Sequence, residues 1–176
     1  MPRIMKSAAL LSGVLTVITT ILYHTYGYGL SLAITFGTTA YHFGMRLLVG
    51  AIFDQIMGNR VDYHKPWFRP LPWEAEVYDF LRVKKWKGRM PTYAPEQFSL
   101  KLHTPEEIVR AMCQSELVHE TNVLLSFLPL GASVFWGAFW VFLVTSILAA
   151  GADLLFVIMQ RYNRPRVIAL LHRKRN

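Results

Sequence analysis

Long apolar runs dominate this chain, and the segments between them alternate between strongly basic and free of lysine and arginine. The runs cover roughly residues 7–26, 30–57, 110–128 and 132–159. A helix needs about 20 apolar residues to cross a hydrocarbon core, at a rise of about 1.5 Å each. The first two runs and the last meet that length, whereas the third is apolar only in its second half, near Val123–Leu128. The turns at 24–29 and 129–131 hold no lysine or arginine; within the runs there is only Arg46, apart from Arg110 at the very start of the third. All the others fall with the N-terminus, the segment up to Arg110, or the basic end 160–176. Positive charge collects on the cytoplasmic side of membrane proteins, so both termini and the 58–104 segment are expected there.

Composition agrees. Of 176 residues, 53% are hydrophobic, too many for the surface of a soluble domain this small. The predicted fold is an all-α integral membrane domain over residues 1–176, multi-pass in the cell membrane. It has about four transmembrane or re-entrant helices, an interfacial cytoplasmic loop at 58–104 and a basic tail at 160–176. The N-terminal run reads as a retained span, lacking the short core and cleavage site of a signal peptide. Cys113 is the only cysteine, which excludes a disulfide framework and a cysteine-based metal cluster. Five prolines and several tryptophans punctuate the loop, which suits short helices lying at the interface. Thr104-Pro-Glu-Glu107 predicts a helix start with a reciprocal capping box.

The chemistry concentrates in Glu116-Leu-Val-His119-Glu120-Thr-Asn122. Helical spacing places Glu116, His119 and Glu120 on one face, with Asn122 close to it. A carboxylate beside an imidazole orients the ring and raises its basicity, which suits His119 as a general base with Glu116 or Glu120 supporting it. A wet helix face in the headgroup region explains the same spacing equally well. One histidine with two acids is not the zinc pattern His-Glu-x-x-His, so no metal is expected. His42 and Arg46 lie one turn apart in the second run and Asp153 lies in the last. Intramembrane charges need partners, and Arg46 with Asp153 is the natural pair, structural or lining a cavity with His42. Arg82, Lys84, Lys85, Lys87 and Arg89, with Arg161, Arg164 and Arg166, suit phosphate groups or anionic lipids. There is no glycine-rich phosphate loop, nucleophile elbow or nucleic-acid motif.

Three stretches together resemble a known family: Trp67-Phe-Arg-Pro-Leu-Pro-Trp-Glu74 with Tyr78 and Trp86-Lys-Gly-Arg-Met-Pro91; Glu116-Leu-Val-His119-Glu120; and Gln160-Arg-Tyr-Asn-Arg-Pro-Arg166. In order and spacing they are similar to the glycosyl-4,4'-diaponeurosporenoate acyltransferases, which act in staphyloxanthin-type carotenoid synthesis. The resemblance implies a membrane enzyme that moves a fatty acyl group onto a hydroxyl of a lipid-linked sugar or similar lipid. It implies Glu116 and His119 as catalytic positions. Trp73, Glu74, Trp86, Arg161, Asn163 and Arg164 would shape the pocket. On this reading the loop and Arg161 and Arg164 hold the donor's phosphates. Implied partners are membrane lipids, an acyl donor (acyl-CoA or a phospholipid) and a lipid-linked hydroxyl acceptor, without a further cofactor. Two other classes suit the same features. One is a small membrane methyltransferase using S-adenosylmethionine; the other is a non-catalytic lipid-binding subunit.

Overall fold

The computed structural model describes residues 2–175, and among these residues it is all helical with no strand. Helix α1 (Pro2–Tyr26) passes into α2 (Leu30–Met57) through Gly27 and Gly29, whose φ angles of 74° and 100° favour residues without a Cβ. The loop that follows carries short helices between its prolines: a 3₁₀ turn at Pro66–Phe68, α3 (Glu74–Phe80), α4 (Val83–Trp86) and 3₁₀ turns at Lys87–Arg89 and Pro95–Phe98. Helix α5 (Pro105–Leu125) starts as its capping box predicts. The Thr104 amide donates to Glu107 Oε2 at 2.7 Å, and the Glu107 amide donates back to Thr104 Oγ1 at 3.3 Å.

The apolar run expected to begin a span at Ala132 is divided instead. A 3₁₀ turn at Leu128–Ala132 leads into the short α6 (Ser133–Trp136), and α7 begins only at Phe139 and runs to Arg175. The break lies at Gly137 and Ala138, whose φ angles of 67° and 51° no right-handed helix allows. The basic end, from Gln160 to Arg175, is part of α7. It continues α7 through Pro165, because Tyr162, Arg164 and Leu171 pack inward there.

Three helical stretches are long and apolar enough to cross a membrane: Arg3–Tyr26, Pro105–Trp136 and Phe139–Arg173. Helix α2 has the length, but threonines, His42 and Arg46 dilute its apolar character.

The chain forms two compact units. The first comprises residues 1–51 and 122–151, the second 52–121 and 152–176. The first unit turns a soluble protein's pattern inside out: Leu10, Val134, Phe135 and Trp140 are exposed, while Ser12, Thr19, Thr38 and Ser146 are buried. Ser12, Thr19 and Thr38 each return their hydroxyl to the carbonyl four residues back, so they sit in an apolar medium at little cost. Tyr41 donates to the Leu125 carbonyl at 2.8 Å, satisfying the end of α5. Arg46 donates to the carbonyls of His42 and Ala149 at 2.7 and 2.9 Å. The second unit packs Val61, Phe68 and Cys113 together, with Met57, Tyr63 and Leu117 against them.

Candidate active site

Within the second unit, α5 and the C-terminal half of α7 carry the ionisable residues, and the loop supplies the rest. Glu116 is fully buried and accepts from two arginines: Arg161 at 2.6 Å on one carboxylate oxygen, and Arg164 on the other. Arg161 also donates to Glu74 at 2.7 Å and to the carbonyls of Trp67 and Arg69, both at 3.2 Å. Arg164 donates to the Phe68 carbonyl at 2.6 Å and lies over the Phe68 ring. Two carboxylates and two guanidiniums therefore close a neutral set that pins the loop to both helices. A buried charge tolerates this setting only with such balance and several hydrogen bonds. Tyr78 extends the set by donating to Glu74 at 2.8 Å. Burial, then the bond to Glu74, pushes its phenol well above the usual range for tyrosine.

This geometry corrects two expectations. The acid on His119 is neither Glu116 nor Glu120 but Asp153, whose Oδ1 lies 2.7 Å from His119 Nδ1. Glu116 is taken up by its arginines, and Glu120 accepts the Trp67 indole N–H at 2.9 Å. Arg161 and Arg164 in turn are directed to Glu74, Glu116 and loop carbonyls rather than to a donor's phosphates, and their side chains are only 14% and 2% exposed. The side chain of Asp153 is only 3% exposed and that of His119 21% exposed. The imidazole stacks face to face on Phe156, with centroids 4.6 Å apart and planes 9° apart. Among the described residues its Nε2 has no hydrogen-bond partner. An imidazole held by stacking and by a carboxylate at Nδ1, with Nε2 open, is arranged to take a proton from a hydroxyl.

The remaining positions divide. Gln160 donates to Ser115 Oγ at 3.1 Å, tying α7 to α5 beside Glu116. Asn163 accepts from Lys87, and the Trp86 indole closes its own turn on the Leu81 carbonyl at 2.9 Å. Trp73 is exposed. His42, Arg46 and Asn122 belong to the first unit, and all three lie in helices there. Phe156 escapes sequence reasoning altogether, since one phenylalanine in an apolar run carries no signal.

The acids and arginines that meet here lie within a longer match. The family model for glycosyl-4,4'-diaponeurosporenoate acyltransferase matches residues 64–173. The chain belongs to that family. It is an acyltransferase, and membership removes the ground for the methyltransferase and the non-catalytic alternatives. The matched segment contains most of the loop, all of α5 and nearly all of α7, and with them every residue of the neutral ion set and the His119–Asp153 pair. No curated protein and no solved structure matches the chain.

Proposed function

We propose that this acyltransferase moves a fatty acyl group onto a hydroxyl of a glycosylated, membrane-resident lipid, a carotenoid glycoside being the acceptor named by its family. His119 is the general base. Its open Nε2 takes the hydroxyl proton as the oxygen attacks the acyl carbonyl. The C–O bond forms, the bond to the donor's leaving group breaks, and the same proton passes to that leaving group. Asp153 holds the ring through Nδ1 and offsets the positive charge that develops on it. The observation that carries this reading is the 2.7 Å contact of His119 with Asp153, beside an Nε2 without a partner among the described residues. The helices then work as four spans in the cell membrane, with both termini and the loop cytoplasmic. A site at that boundary keeps water from competing with the acceptor.

The test is lipid mass spectrometry on cells expressing the wild type, His119→Ala, Asp153→Asn or neither. A lipid heavier by one acyl group should appear with the wild type and vanish with His119→Ala. Asp153→Asn should lower its rate of formation by about 10²-fold or more, which reflects a misheld ring. Equal acylation by wild type and a folded, membrane-inserted His119→Ala variant would remove His119 from the chemistry.

A further inference from the structure

The ion set leaves unanswered what the loop's other cations do. Lys87 donates to Asn163 Oδ1 at 2.5 Å, and its ammonium lies 4.7 Å from the centroid of the Tyr162 ring. Arg166 donates to the Tyr162 carbonyl and places its guanidinium 3.7 Å from the same centroid. Two cations thus gather over one aromatic ring, and among the described residues neither has a carboxylate within ion-pair distance. Burial, then the charges of Arg166 and Lys84, holds the Lys87 ammonium below the usual lysine range. Like charges held together without a counter-charge cost energy that an anion would recover. An ammonium has three donors and a guanidinium five, so both residues keep N–H groups for such an anion.

The spacing identifies it. His119 stacks on Phe156 and Lys87 bonds Asn163, and these two residues of α7 are seven positions apart. Seven residues are two helical turns, so both lie on one face, about 10 Å apart along the axis. Arg166 lies three residues further, but its guanidinium reaches back over Tyr162, six positions or about 9 Å of rise from Phe156. In a glycerophospholipid, the phosphorus and an ester carbonyl are separated by roughly five bonds, about 6 Å when extended. In a phosphopantetheine thioester the separation is roughly fourteen bonds, about 17 Å extended. The first falls short of the spacing and the second covers it.

We propose that Lys87 and Arg166 bind the phosphate of a phosphopantetheine thioester, the acyl donor, whose carbonyl then reaches His119. The assignment rests on the acyl-transfer reading above. In the step it describes, the acceptor oxygen attacks the thioester carbonyl, the C–O bond forms and the C–S bond breaks. The hydroxyl proton travels through His119 Nε2 to the departing sulfur, leaving an ester and a free thiol. Lys84 adds to the local field.

The experiment uses the full chain in nanodiscs with three probes: S-palmitoyl-4'-phosphopantetheine, S-palmitoyl-pantetheine without the phosphate, and phosphatidylglycerol with a labelled acyl chain. The wild type should bind the phosphorylated thioester about tenfold or more tightly than the unphosphorylated one. Lys87→Gln and Arg166→Gln should each erase most of that difference and raise KM for the thioester with kcat little changed. Equal affinity of the wild type for the two thioesters would overturn the assignment without recourse to any variant. Transfer from labelled phosphatidylglycerol that neither substitution slows would overturn it too, while leaving acyl transfer standing. Phosphate-dependent thioester binding without acylation of any acceptor would have the opposite meaning: the phosphate site stands and the acyl-transfer reading falls.

Discussion

Glu116 and His119 lie three residues apart on α5, and their side chains meet different neighbours. Glu116 is enclosed by Arg161 and Arg164, while His119 faces Asp153 and Phe156. The first arrangement is a tie between elements and the second is the pair proposed to act as the base, so substitutions at the two positions should separate. Glu116→Gln leaves Arg164, itself only 2% exposed, without its carboxylate. Removing one partner of such a buried set costs about 3–5 kcal/mol. The expected result is a marked fall in the thermal unfolding temperature of the detergent-solubilised protein, with lost activity following lost fold. An unchanged unfolding temperature with abolished turnover would instead place Glu116 in the chemistry. Identical spacing cannot separate these fates, because i, i+3 and i, i+4 neighbours share a face whichever partners the rest of the chain brings. His119 and Glu116 were legible as a pair of interest; that Asp153, 34 residues on, is the acid for His119 was not.

At the scale of elements, local chemistry read well and backbone breaks did not. The Thr104–Glu107 capping box was legible because both partners lie within one turn and compete with nothing distant. The interruption at Gly137–Ala138 was not, because the apolar run continues across it and hydropathy does not register φ. Gly137 adopts φ 67° and ψ −139°, a region essentially closed to residues with a Cβ. Gly137→Ala should therefore lower stability by about 1–3 kcal/mol, although open space surrounds the added methyl. Ala138→Gly should act in the opposite direction, since Ala138 carries the strain of φ 51°. Comparison of the two unfolding temperatures with the wild type checks both signs. If both variants fell together, a lost contact rather than backbone strain would set the stability there.

At the scale of the whole molecule, two patterns point to a bilayer: apolar side chains turned outward over buried hydroxyls, and turns at 24–29 and 129–131 without lysine or arginine while the 58–104 segment is rich in them. Cysteine labelling tests the resulting orientation, since Cys113 is fully buried and should stay silent to a membrane-impermeant maleimide. Tyr28→Cys should react only from outside the cell, and Lys84→Cys only after the cytoplasmic face is opened. Reaction of both from one side would overturn the proposed four-span topology. The sequence by itself determined the all-helical class, the capped start of α5, the charge asymmetry and the family, because each is written in periodicity, composition or motif order along the chain. Only the tertiary structure decided which acid serves His119, that Arg161 and Arg164 are spent on Glu74 and Glu116, and that Lys87 and Arg166 meet over Tyr162. Those pairings join residues 34 to 87 positions apart, and a buried charge takes its partner from whatever packing places within reach.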